Sequence, residues 1–480
     1  MIQATSHFQR YRWIRVTLFG LLIALVISLA NTVFTCDTCQ SDSFTEVLNS
    51  DNYPQFLPEY RRKYMKHLIN ATYLDYTGAG VYNDLDIELF RRSVLFPTKV
   101  PANQTKIVHD KVIQETRDTL LSFLGTSSKY YTVVFLASAT QALKLIGENY
   151  KWNKDSKYIY TRYNHNSVLG IRKYAVAAGG SFNVVNTTTE MQADQNALFA
   201  VALEENFAGG KISKEEMIRL THTEGMTVLA DTAAYLPTNK LNLTETPFHA
   251  VVLSFYKIIG FPNFGACVIR NDFLKEKLEK KSFLAGSVDI ALSNSMKYRL
   301  KSENQFEDDE VPYEMCQAAL LGMKFLMNIG IDKINEHVYR LSDKLYKNLR
   351  DLKHSNDQIA TEIYGNHDKS SKDLQGGIVA FNVKKSNGDY VGYSQVVKEA
   401  KKSNIHLRGG CHCNPGACFA SMKIPENVAM EYFNQKTTCG DNNDIINGIP
   451  LGSVRASLGW ATTDEDIELF TKFIIENYVF

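Results

Sequence analysis

The pattern of apolar and polar positions opens with a charge-free run from Val16 to Cys36, VTLFGLLIALVISLANTVFTC, after which the chain turns polar. A run of that length is enough to cross a hydrocarbon core of about 30 Å as a helix. Arg10, Arg12 and Arg15 precede it, and Asp37, Asp42, Glu46 and Asp51 follow, which predicts a cytoplasmic N-terminus with the body across the membrane. The expectation is therefore a basic flank over 1–15, a transmembrane helix or signal anchor over 16–36, a single-pass membrane location, and a polar linker over 37–72. Beyond it, Tyr73-Leu74-Asp75-Tyr76-Thr77-Gly78-Ala79-Gly80 reads as a short strand breaking into a glycine turn. Residues 106–124 show helical spacing, 131–136 a buried-strand pattern and 141–149 a helix. Strand signals recur at 158–160, 182–185, 197–203, 227–230 and 251–253, with helices at 167–176 and 213–222. Such alternation predicts an α/β domain over 73–330 with a mostly parallel sheet. A long helical pattern over 312–352 leads into strands at 377–383, 405–408 and 454–458 and helices at 393–402 and 464–477. These predict a smaller α+β domain over 331–480.

Composition adds bounds. With 480 residues and 44% of them apolar, the chain can bury a large core in two lobes. A net charge of +1 gives no reason to expect a nucleic-acid partner. Eight cysteines are too few for a disulfide scaffold, and Cys411, Cys413, Cys418 and Cys439 gather near the end, which points to chemistry there.

Ligands of open α/β sheets bind beyond the carboxyl ends of the strands, which gathers Thr140 and its neighbours, His165, Asn206, Asp231 and Ser254 through Lys257 at one mouth. Lys257 is a lone amine between the apolar run ending at Ser254 and the Gly260–Gly265 turn. It is either a solvated loop lysine or a desolvated amine whose lowered pKa suits Schiff-base chemistry with pyridoxal phosphate. Asp231 ends an apolar run and is either a turn cap or the partner of a cation such as a pyridinium nitrogen. The small residues Ala137-Ser138-Ala139-Thr140 form either an ordinary tight turn or a phosphate site at a helix N-terminus. His165, before a helix, is either solvated or set to stack on a ring or carry a proton. In the glycine-flanked segment Arg408 to Cys418, thiols lie beside arginine and histidine; a reactive thiolate, metal ligation and a disulfide are all open. Arg455, among small and apolar residues, suits either a structural ion pair or a bidentate anion such as an amino-acid carboxylate.

With these residues the chain resembles the class V aminotransferase superfamily of fold-type-I pyridoxal phosphate enzymes. Within it, the chain resembles the cysteine-desulfurase-like domain of the molybdenum cofactor sulfurases. The match runs from about Tyr73 to the C-terminus and rests on YLDYTGAG, ASATQALK, NHNSVLGIR, ENFAGGK, LADTAAYLPT, SFYKIIGFPNFGACVIR, RGGCHCNPGAC and CGDNNDIINGIPLGSVRASLGWATTDED. The last two carry the specificity, since ordinary cysteine desulfurases lack the final block. The resemblance implies a mostly parallel seven-stranded sheet in the large domain and a homodimer. It implies that Lys257 holds the cofactor, Asp231 pairs with the pyridine nitrogen, His165 stacks on the ring, and Asn206 bonds the ring hydroxyl. It also implies that Ala139, Thr140, Ser254 and Tyr256 surround the phosphate. In the desulfurase pattern the loop arginine is followed by four residues and then the nucleophile, which implies Cys413 rather than Cys411; Arg455, with Arg408 nearby, would bind the substrate carboxylate. No metal is implied. The implied activity is formation of a persulfide on Cys413 from L-cysteine, with release of alanine. The sulfur would pass to the molybdenum cofactor, or to a carrier or enzyme holding it, giving the sulfido ligand needed by xanthine dehydrogenase and aldehyde oxidase. The family's cofactor-binding C-terminal domain has no counterpart before Phe480, so a separate protein is expected for that step. The alternatives are a general cysteine desulfurase or lyase with another acceptor, and a membrane-tethered, non-catalytic binding module.

Overall fold

The computed structural model describes residues 48–94, 102–302, 304–435 and 442–480. After β1 (Thr72–Tyr73) come the strands of a seven-stranded sheet: β2 (Tyr131–Leu136), β3 (Lys157–Thr161), β4 (Ser181–Val185), β5 (Ala197–Ala202), β6 (Thr227–Asp231), β7 (Ala250–Ser254) and β8 (Gly265–Arg270). Their order is β2-β8-β7-β6-β5-β3-β4. The central strands AVVLS and TVLAD are buried along their whole length, as a sheet covered on both faces requires. The sheet is mixed, because β8 runs antiparallel to both neighbours, β2 and β7. The segment between β7 and β8 is too short for a crossover, so the chain can only turn back on itself.

β9 (Val288–Ala291) and β10 (Tyr298–Leu300) form a separate hairpin. The second sheet joins β11 (Thr361–Tyr364) and β12 (Ile378–Val383) to two later strands. β13 (Ile405–His406) pairs in parallel with β1, and β14 (Arg408–Gly410) follows it. A two-residue ribbon of β15 (Ile445–Ile446) and β16 (Ile449–Pro450) precedes β17 (Ser453–Ser457). The four strands of this sheet lie in the order β11-β12-β17-β14.

Three expectations change. Within the stretch read as a linker, Leu48, Tyr53, Leu57 and Tyr60 are buried in the main core, and a helix spans Leu57–Tyr64. The long helical pattern over 312–352 is two helices, Tyr313–Ile329 and Ile331–Arg350, separated by Gly330 at φ +92°, a conformation that glycine adopts without penalty. The third change is a correction: the transmembrane helix over 16–36, and with it the single-pass membrane location, is not supported. Among the described residues no helix is long and apolar enough to cross a membrane. Residues 16–36 themselves lie outside the described residues. The apolar helix Tyr313–Ile329 has 17 residues, includes Glu314 and Lys324, and turns its buried side chains to the protein core. At Gly322 it passes so close to Ile259 that a side chain there would overlap it, and this contact backs the short helix carrying Lys257.

One buried ion pair ties the rim of the large sheet together. Glu307 accepts from Arg117 Nη2 at 2.8 and 2.9 Å and from the Phe135 backbone N–H at 2.8 Å, with both side chains at most 10% exposed. Replacing one partner leaves the other charge buried alone. Glu307→Ala is expected to lower the unfolding free energy by about 3–5 kcal/mol in urea titrations.

Candidate active site

Lys257 sits on a one-turn helix, Phe255–Ile259, entered directly from β7 and ended by Gly260 at φ +77°. The turn after Tyr76 packs against this helix: Gly80 N–H donates to the Tyr256 carbonyl at 2.9 Å. A Cβ on Gly80 would fall 2.8 Å from the Lys257 carbonyl oxygen, so the close approach requires glycine. Burial lowers the Lys257 amine below its usual pKa, while the Asp231 carboxylate, at the end of β6, works the other way. Asp231 Oδ1 accepts from the Ala233 N–H at 3.0 Å, which fixes the carboxylate at the strand end.

The helix Ala139–Asn149 begins at the same mouth, capped by Ser138. Ser254 Oγ accepts from the Ala139 N–H at 2.9 Å, and Thr140 Oγ1 meets Ser167 Oγ at 2.9 Å. His165 caps the next short helix, its Nδ1 accepting from the Ser167 N–H at 3.1 Å. Desolvation lowers the pKa of this imidazole, and Asp231 only partly opposes that. One cavity is lined by Ala139, Thr140, His165, Asn206, Asp231, Ser254, Tyr256 and Lys257, so the structure brings together every residue expected around the cofactor. A phosphorylated pyridine aldehyde fits this set, which combines a helix start and hydroxyls suited to a phosphate, a carboxylate suited to a pyridinium nitrogen and an amine suited to the aldehyde.

Asn206, besides lining the cavity, has partners on the cysteine loop. Its amide nitrogen donates to the His412 carbonyl at 2.6 Å and its amide oxygen accepts from Asn414 at 3.1 Å. It therefore ties the cysteine loop to the cavity wall. The same loop docks through the Cys413 carbonyl, which accepts from the Asn166 N–H at 2.8 Å, beside His165. In this loop Cys411 and Cys418 form a disulfide. Cys413 is an exposed free thiol.

Arg455, on β17, is 2% exposed, and Arg408 lies directly opposite it on β14. Like charges facing across a ladder repel. Asp75 resolves the conflict: its carboxylate accepts from Arg455 Nη2 at 3.0 Å and from Arg408 Nη2 at 2.7 Å. Sequence reading passed over Asp75, although it ends the short run Tyr73-Leu74 much as Asp231 ends its own strand. Glu204, also lining the cavity, was missed too; burial pushes its carboxyl up to about 8 despite nearby Lys211.

A model of the aminotransferase class-V family matches residues 102–470. The fold is that of the type-I pyridoxal-phosphate-dependent transferases. A cysteine desulfurase from Thermococcus onnurineus NA1 superimposes with a TM-score of 0.71 at 19% identity, covering 87% of this chain and 97% of the other. The family match spans most of the sequence, and the chain belongs to the class-V aminotransferases. It is similar to the molybdenum cofactor sulfurase of Arabidopsis thaliana, at 33% identity over 88% of the chain, and to that of Homo sapiens, at 32% over 88%. The chain spans only 58% and 51% of the lengths of these two relatives.

Two measurements test the electrostatics. Asp75→Ala leaves two opposed guanidinium groups, one of them buried, and is expected to lower the unfolding free energy by about 3–5 kcal/mol. Arg408→Ala removes a half-exposed partner and is expected to cost about 1 kcal/mol or less. For Glu204, the folded state keeps a proton that the unfolded chain loses near its ordinary value of 4.5. Unfolding free energy should therefore fall as pH rises from about 4.5 to 8, and the Glu204→Gln variant should lack this component.

Proposed function

We propose that this chain is a pyridoxal-phosphate-dependent cysteine desulfurase that forms a persulfide on Cys413 and passes its sulfur to the molybdenum cofactor. The observation that carries this reading is a desolvated lysine, a carboxylate and a helix N-terminus lining one cavity, with a free cysteine on a loop docked at its edge. The names of the relatives support the acceptor. Lys257 would hold the cofactor, Asp231 its pyridine nitrogen, and Ala139, Thr140, Ser254 and Tyr256 its phosphate, with His165 against the ring and Asn206 near the ring hydroxyl. When bound, pyridoxal phosphate supplies an electron sink that makes bonds at the substrate's α- and β-carbons labile.

The residues then divide the work. Arg455, with Arg408 beside it, holds the carboxylate of L-cysteine. The Lys257 amine, its pKa lowered by burial, takes the proton from the substrate α-carbon and later returns one to the carbon framework that leaves as alanine. The thiolate of Cys413 attacks the substrate sulfur; an S–S bond forms as the Cβ–S bond breaks, and the sulfur stays as a Cys413 persulfide. The neutral His165 can carry a proton between substrate and solvent. The apolar side chains that hairpin β9–β10 turns outward, Ile290, Leu292 and Met296, support a homodimer as part of the same reading.

A second reading, a cysteine desulfurase with another acceptor, is supported by the likeness to the cysteine desulfurase of Thermococcus onnurineus NA1. The cofactor-loaded chain is expected to show a visible absorption band that Lys257→Ala abolishes. Alanine release from L-cysteine should drop by about a thousandfold in Cys413→Ser and persist in Cys411→Ser; the reverse pattern would assign the nucleophile to the other cysteine. Return of aldehyde oxidase activity to a sulfurase-deficient extract separates the two acceptor readings.

A further inference from the structure

Three buried nitrogen atoms at the loop end of the site have no hydrogen-bond partner among the described residues: Nε of Arg455 and both ring nitrogens of His412. Such atoms are rare in folded proteins, and a group of them in one place points to a ligand that supplies the acceptor. Asn206 touches both residues, the guanidinium of the one and the backbone of the other. Its carbonyl accepts from Arg455 Nη1 at 2.8 Å, and its amide donates to the His412 carbonyl at 2.6 Å. Successive left-handed residues, His412 at φ +54° and Cys413 at φ +58°, turn the imidazole inward while the neighbouring thiol faces solvent. The ring of Phe207, 5.8 Å away between centroids, gives the histidine an apolar wall.

The charges select the ligand. Two guanidinium groups, Arg408 and Arg455, share the single carboxylate of Asp75, so the cluster keeps a net positive charge. Burial next to these cations holds the imidazole neutral, so it can donate one N–H without adding charge. An anion with two oxygens satisfies an Nε–H and an imidazole N–H together.

We propose that His412 is a substrate-contacting residue: its imidazole N–H and the Nε–H of Arg455 together take the α-carboxylate of the amino-acid substrate. The identity of that substrate rests on the desulfurase reading above. The test uses the cofactor-loaded full chain and its His412→Phe and His412→Gln variants, titrated calorimetrically with L-alanine, which has the same carboxylate and amine and no sulfur. Binding of L-alanine needs no carbon–sulfur cleavage, so the contact is read apart from desulfuration. His412→Phe should weaken L-alanine by about tenfold, and the KM for L-cysteine should rise by the same factor. His412→Gln, which keeps a donor, should recover most of the loss. Ethylamine, an amine without a carboxylate, should bind all three proteins alike. Unchanged L-alanine affinity in His412→Phe, or an equal loss for ethylamine, would overturn the proposal.

Discussion

A guanidinium that is almost wholly removed from water is tolerable only where a carboxylate and well-placed acceptors surround it, and Arg455 sets that condition for this fold. Asp75 meets it from the segment after β1, and the Asn206 carbonyl meets it from the chain beyond β5. The second sheet must bring β14 alongside β17 although this sets Arg408 against Arg455, and the arrangement holds because one carboxylate lies between them. Three regions far apart in sequence are thus joined at one cation. Asn206, which also lines the cavity, links that joint to the cavity wall.

The other side of the cavity is governed by desolvation. Lys257 and His165 are both held toward their neutral forms by burial, and the carboxylate of Asp231 moderates both. For the proposed role of Lys257 as nucleophile and proton carrier, this balance serves better than a close ion pair. Glycine at positions 80 and 322 lets a turn and a helix press on the short helix of Lys257, which fixes the amine from two directions.

Much of this was legible in the sequence, for identifiable reasons. Lys257, Asp231 and the Ala139–Thr140 turn lie where an apolar run stops, and strand ends converge by rule in an α/β sheet. Asp75 obeys the same rule but follows a strand of two residues, too short to register as a pattern, and its partners lie hundreds of positions away. The pairing of Cys411 with Cys418 depends on a left-handed backbone at His412 and Cys413, which residue types alone do not specify. The return into β8 shows in the glycine turn after Lys257, and its antiparallel direction follows from the short loop between β7 and β8. The apolar segment at 16–36 was read from hydropathy alone, and no described helix has the character of a membrane span.

The antiparallel return from β7 to β8 has a consequence for how the molecule assembles. Ser254 pairs with Gly265, so the lysine lies inside a compact hairpin that closes with little loss of chain freedom. The Asp75–Arg455 contact joins residues 380 positions apart and must await synthesis of everything between them. A nascent chain can therefore shape the lysine's local surroundings during synthesis, whereas the charged clasp at Arg455 completes only once β17 emerges.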